Sequence, residues 1–146
     1  MAMRISAARW EGGFKNGKGT MRLGSGAYEG RYSVASRFEQ GPGTNPEELI
    51  GAAHAGCFSM ALSLALEQAG YAPERIDTTA RVSIDRVPEG FKITTIDLET
   101  YGTVPGMDEK TFLEKAESAK KGCPVSVALA GVEIRLKARL VAAKAA

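Results

Sequence analysis

Apolar residues recur along this chain in three rhythms, and each rhythm predicts a different element. Between residues 44 and 70, TNPEELIGAAHAGCFSMALSLALEQAG, the apolar positions from Leu49 to Leu66 run around most of a helical circumference instead of along one stripe. That is the pattern of a helix buried on most of its sides. Thr44 or Asn45 is placed to cap it, Pro46 suits its first turn, Glu47 and Glu48 complement its positive end, and Gly70 stops it. Residues 108–122, DEKTFLEKAESAKKG, instead set Phe112, Leu113, Ala116 and Ala119 on one stripe opposite many charges. This predicts a surface helix that begins at an Asp108 cap. The third rhythm is strict alternation: Val132, Ile134, Leu136, Ala138 and Leu140 interleave with Glu133, Arg135, Lys137 and Arg139, as in a half-buried strand.

The remaining segments read as strands and turns. Residues 4–10 are β-compatible and lead into EGGFKNGKGT, where Asn16-Gly17 signals a turn and hence a hairpin. Residues 19–23 and 31–35 continue as short strands, so the first third is expected to be a small antiparallel meander. After Arg37, FEQGPGTNPEE is a glycine- and proline-rich loop that delivers the chain to the long helix. Residues 76–87 and 91–103 form a strand pair turned by Pro88-Glu89-Gly90. The step from Phe91 and Ile93 to Ile96 and Leu98 breaks the period of two and predicts a bulge. Pro124 permits a short helix through Leu129, which places Cys123 at a turn expected to lie near the surface.

Composition narrows the function class. With 146 residues and 44% apolar content, one α+β domain spanning 1–146 has enough core to do without disulfide staples. The 19 basic and 17 acidic residues are well mixed, which leaves no electrostatic footprint for nucleic acid. The uncharged run inside the long helix barely reaches the roughly 20 residues of a membrane span, and Gly51, His54, Gly56, Ser59 and Ser63 interrupt it. MAMRISAARWEGG has no apolar export core, so the expected location is cytoplasmic, with no membrane partner.

The chemistry-bearing residues are few. Cys57 and Cys123 are the only cysteines and His54 is the only histidine. Cys57, mid-helix among small residues, reads equally as a packed core thiol. Gly51 and Gly56 nearby each cost about 1 kcal/mol in a helix and so imply a close approach, by a sheet or by whatever must reach Cys57. A zinc site from His54, Cys57 and Cys123 lacks a fourth ligand. His54 acting as base to Cys57 lacks an orienting carboxylate or amide, and a packed, hydrogen-bonded histidine is the commoner arrangement.

The segments GTNPEELIGAAHAGCFSMALSLALEQAG, AKKGCPVS, ARWEGGFKNGKGT and SRFEQGPGTNPEE closely resemble the osmotically inducible protein C and organic hydroperoxide resistance (OsmC/Ohr) family, over nearly the whole chain. HAGCFSMAL is nearer the osmotically inducible branch. The resemblance implies antiparallel curved sheets packed around a long central helix in an intertwined homodimer. It also implies a thiol peroxidase in which Cys57 is the reactive and Cys123 the resolving cysteine. The family's arginine falls on Arg37 and its glutamate on Glu47, with Glu48 adjacent. The implied substrates are organic hydroperoxides or hydrogen peroxide, and the implied reductant is a dithiol such as a lipoyl group. No metal, flavin or haem is required. Phe58 and Met60 would supply apolar surroundings, although each reads more readily as core than as pocket. The rival function is a non-enzymatic thiol or small-ligand module whose cysteines sense oxidation. Ten residues of straight helix separate Glu47 from Cys57 by about 15 Å, so the glutamate beside a given thiol would come from the partner subunit unless the helix starts late or kinks near Gly51.

Overall fold

The computed structural model describes residues 1–142, which fall in two compact units, the first Met1–Leu49 and the second beginning at Ile50. The first unit opens with a three-stranded antiparallel sheet in the order β1 (Ser6–Glu11), β2 (Lys18–Leu23), β3 (Glu29–Tyr32). Pairing of Glu11 with Lys18 closes the expected hairpin around the Asn16-Gly17 turn. The segment 31–35 is not a strand throughout. It leaves the sheet after Tyr32, and a five-residue helix, α1 (Val34–Phe38), begins on a Ser33 cap. Ser33 and Ser36 form a reciprocal capping box, each side chain accepting from the other's backbone N–H. Two small hydroxyls thereby override a β-compatible local sequence.

The chain then turns through a loop held by backbone contacts. Thr44 N–H donates to the Arg31 carbonyl at 2.8 Å, the Ser36 hydroxyl donates to the Thr44 carbonyl at 2.7 Å, and Asn45 Nδ2 donates to the Ser36 carbonyl at 3.1 Å. Gly43 makes this turn at φ +117°, where a Cβ would lie 2.6 Å from the Arg31 carbonyl oxygen. Only glycine fits there.

Helix α2 (Pro46–Gln68) is unbroken for 23 residues. Asn45 caps it, its side-chain oxygen accepting from Glu48 N–H at 2.8 Å. Burial along α2 is narrower than the sequence pattern implied. His54, Phe58, Leu62 and Leu66 are fully buried along one stripe, whereas Met60 is 77% and Leu64 54% exposed, and Ala52, Ala53 and Gly56 are exposed with them. An all-round apolar helix in this single chain has only one side covered.

The second unit carries every buried residue of the apolar core cluster. Its sheet has the order β4-β5-β6, with β4 (Arg75–Val87), β5 (Gly90–Thr103) and β6 (Glu133–Leu140). Val87 pairs with Gly90 at the expected tight turn, and the register shift leaves Thr94 as the extra residue on β5, where the sequence period broke. The sheet is mixed, not purely antiparallel, because β6 returns parallel to β5. Helix α3 (Glu109–Gly122) and the helical turn α4 (Pro124–Ala128) form that crossover. Asp108 caps α3, and Phe112, Ala116 and Ala119 of its stripe are buried, while Leu113 is exposed.

Gly51 meets the sheet closely: a Cβ there would sit 3.3 Å from Val82 and 3.6 Å from the Ala80 carbonyl. The helix also makes polar contacts with the sheet, since Ser59 Oγ lies 2.8 Å from Thr78 Oγ1, itself 2.9 Å from Thr100 Oγ1. Sheet contact accounts for Gly51. Gly56 has nothing within 4 Å of a built Cβ.

Candidate active site

The four predicted site residues form two pairs. Cys57 is half-buried on α2 and Cys123 is fully buried, with their sulfurs 3.0 Å apart as free thiols. Cys123 was expected near the surface. Its burial follows from its place at a junction, where it ends α3 by donating its N–H to the Ala119 carbonyl at 2.9 Å and at the same time caps α4. A residue that terminates one helix and starts the next is held from both sides. Forming a disulfide requires the sulfurs to approach by only about 1 Å more.

The two thiols are electrostatically unlike. Burial pushes the Cys57 thiol up, and its hydrogen bond with Cys123 adds to this, partly offset by the Val125 N–H. Burial also pushes Cys123 up, but hydrogen bonds from Cys57, from the Ser126 N–H and hydroxyl, and from the Val125 N–H outweigh it, so Cys123 lies below an ordinary thiol.

The second pair is Arg37 with Glu47. The guanidinium donates in fork fashion, Nε to Oε1 and Oε2 at 3.1 and 3.2 Å and Nη2 to Oε1 at 2.7 Å. Glu47 is 7% exposed, in the first turn of α2, and Arg37 is at the end of α1. The neighbouring Glu48 is occupied elsewhere, accepting from the Thr44 hydroxyl at 2.8 Å. Glu47 is thus the arginine's carboxylate.

A family model described as OsmC-like protein matches residues 39–137, a span that includes Glu47, Cys57 and Cys123 and begins just after Arg37. The chain belongs to the OsmC-like protein family. It is 56% identical over 123 residues to peroxiredoxin OsmC of Escherichia coli K12, covering 84% of this chain and 86% of that protein. It is 35% identical over 92 residues to an organic hydroperoxide resistance protein of Xanthomonas axonopodis pv. citri, covering 62% and 63% of the two. The solved structure of an organic hydroperoxide resistance protein OsmC from Legionella pneumophila matches with a TM-score of 0.74 at 25% identity, over 96% of this chain and 98% of that one.

The OsmC-like chain also has an apolar cavity of about 430 Å³ in its first unit, which the sequence reading did not find. Trp10, Phe14, Tyr32, Val34 and Phe38 line it together with Arg37. Trp10 and Tyr32 meet with ring centroids 5.4 Å apart, and the Arg37 guanidinium stands 5.2 Å over the Phe38 ring. Phe58 is core at 0% exposure, as its place on a buried helix implied, whereas Met60 is 77% exposed. Phe14 and Trp10 lie in and beside a glycine-rich turn, where aromatic spacing gave no period to read.

Proposed function

We propose that this OsmC-like protein is a thiol-dependent peroxidase that reduces organic hydroperoxides, and hydrogen peroxide as well, through Cys57 and Cys123. The observation that carries this reading is the 3.0 Å approach of the two free sulfurs from positions 66 residues apart. The Cys57 thiolate attacks one peroxide oxygen, the O–O bond breaks, and the alkoxide leaves as an alcohol after taking a proton. Cys57 becomes a sulfenic acid, and Cys123 converts it to a disulfide with loss of water. An external dithiol reduces that disulfide. The aromatic cavity beside Arg37 supports a preference for hydroperoxides with a hydrocarbon body.

The proposed assembly is an intertwined homodimer in which Arg37 and Glu47 of one subunit serve Cys57 of the other. Two features support it. The first sheet has no apolar cover within its own unit, since β1 is exposed throughout, and α2 exposes Met60 and Leu64. Helix α2 is also continuous past Gly51, so Glu47 and Cys57 are about 15 Å apart along a straight axis. The arriving guanidinium supplies the charge that lowers the Cys57 pKa, which this chain's own surroundings raise. Mixed dimers of a Glu47→Ala subunit with a Cys57→Ser subunit test the arrangement. The trans reading predicts one intact site and about half of wild-type activity per heterodimer. No recovery in mixed dimers of verified composition places the pair in cis.

The proposed reductant is a slim dithiol on a flexible arm, such as a lipoyl group, because one of the two sulfurs is fully buried and the other half-buried. The proposed setting is the cytoplasm, where a thiol cycle finds reducing equivalents. Turnover with dihydrolipoamide, glutathione and thioredoxin decides the first point, and a clear preference for thioredoxin overturns it. No turnover with any dithiol, despite oxidation of the thiols by hydroperoxide, favours a sensor over an enzyme.

A further inference from the structure

His54 is fully buried on α2, three residues before Cys57, and the reaction above assigns it nothing. Its Nε2 lies 2.7 Å from the Ser126 hydroxyl, a contact between residues 72 apart in the chain. Its other ring nitrogen, Nδ1, is buried with no hydrogen-bond partner. Ser126, itself buried at 5% exposure, directs its backbone N–H to the Cys123 sulfur at 3.5 Å, and its hydroxyl is among the groups that lower the Cys123 pKa. A line of polar groups therefore runs from His54 through Ser126 and Cys123 to Cys57, entirely inside the second unit.

The unpartnered Nδ1 fixes how this line is polarised. A proton on Nδ1 would leave a dry N–H donor unpaired, and such orphans are rarer than unpaired acceptors. With the proton on Nε2 the orphan is only a lone pair. The imidazole then donates to Ser126 Oγ and leaves the serine's own proton free to be donated onward. Burial lowers the His54 pKa, which favours the neutral ring that this arrangement uses. As mere core filling, a histidine with one nitrogen unsatisfied is a poor choice beside leucine, because its desolvation is incompletely repaid.

We propose that His54 and Ser126 are positioning residues for the resolving step, with His54 Nε2–H orienting the Ser126 hydroxyl so that it donates to the Cys123 sulfur and favours the thiolate that goes on to attack Cys57. This rests on the peroxidase reading and concerns only its second half. Cys123 Sγ bonds to Cys57 Sγ, and the S–O bond of the sulfenic acid breaks. The thiol proton of Cys123 passes to the departing hydroxide, which leaves as water. Cys57 is reduced from the sulfenic level, Cys123 is oxidised, and Ser126 and His54 end unchanged. Their contribution is to favour the Cys123 thiolate from which the attack starts, before its electron pair goes into the S–S bond.

One equivalent of cumene hydroperoxide, followed by rapid quenching and mass spectrometry, separates sulfenic acid formation at Cys57 from disulfide formation. The variants are Ser126→Ala, His54→Leu and His54→Gln, the last retaining an N–H donor near the Nε2 position. Sulfenic acid formation is expected within about twofold of wild type in all three, while disulfide formation slows about 10- to 100-fold in Ser126→Ala and His54→Leu, the size of one hydrogen bond to a charged group. His54→Gln recovers most of that loss, and combining Ser126→Ala with His54→Leu slows the step no further than the slower single change. An unchanged disulfide rate in Ser126→Ala overturns the proposal. So does a His54→Gln rate as low as that of His54→Leu, or a parallel slowing of both steps. Ser126→Ala removes a single oxygen and decides the matter alone if His54→Leu does not fold. Absence of any Cys57 sulfenic acid in the wild type would remove the peroxidase reading itself, a result distinct from all of these.

Discussion

The ion pair of the first unit and the thiol pair of the second are built by opposite means. Arg37 and Glu47 are ten residues apart, and the elements that hold them are local: a serine capping box, a glycine turn and an asparagine cap. Cys57 and Cys123 are 66 residues apart and meet only because α2 and the α3–α4 junction belong to the same second unit, whose cluster contains Phe58, Leu62, Phe112 and Ala119. The local device leaves its arginine 34% exposed, so as a stabilising contact the pair is screened and contributes about 1 kcal/mol or less. Its effect is orientation, since a two-point carboxylate contact fixes the plane of the guanidinium. The nonlocal device hides one sulfur completely and holds the other 3.0 Å from it. Short-range contacts suffice to aim a charge, whereas placing two reactive atoms in contact takes a packed core.

The sharpest break in that comparison removes one member of the thiol pair. Cys57→Ser is expected to abolish hydroperoxide consumption, a loss on the order of 10³-fold or more. Cys123→Ser should instead be oxidised once at Cys57 and then accumulate sulfenic and higher acids. Mass spectrometry after limiting peroxide distinguishes them, and equal initial oxidation of Cys123 in the wild type and in Cys57→Ser would reverse the roles.

Next in size is the core beneath the thiols. Phe58 follows Cys57 and is fully buried, so Phe58→Ala should cost about 3–5 kcal/mol of stability. Urea denaturation measures this. A loss under 1 kcal/mol would mean that the thiol pair does not depend on the packed core.

Arg37→Ala tests the ion pair as an aimed charge and should slow attack on hydroperoxide about 10- to 100-fold. The thiolate is the alkylating form. If the guanidinium of Arg37 offsets the rise that this chain's own surroundings give Cys57, its loss returns the thiol to that raised position, and the pH midpoint for alkylation of Cys57 moves up. An unchanged profile takes Arg37 out of the site.

The smallest effect concerns the local scaffold. Asn45→Ala removes the α2 cap, leaves the Glu48 N–H without its 2.8 Å acceptor, and should cost about 1 kcal/mol in thermal or urea unfolding. A loss as large as that of Phe58→Ala would erase the distinction between locally and globally built pairs.

By itself the sequence determined what depends on neighbours along the chain. The α2 start at Asn45-Pro46, the Asp108 cap of α3, the extra residue in β5 and the alternation of β6 were all legible, because caps, turns and side-chain periodicity act within a few residues. Family resemblance added Cys57, Cys123, Arg37 and Glu47 as a set. Tertiary structure alone decided which of them touch, which sulfur is buried, that β6 runs parallel to β5, that only one stripe of α2 is covered in this chain, and that Ser126 meets His54. It also decided against a local signal at 31–35, where the Ser33–Ser36 box and the Thr44 contacts turn a β-compatible segment into a helix. Each of these depends on atoms brought together from distant positions, and the energy that selects among such meetings comes from packing and desolvation, which no local pattern encodes.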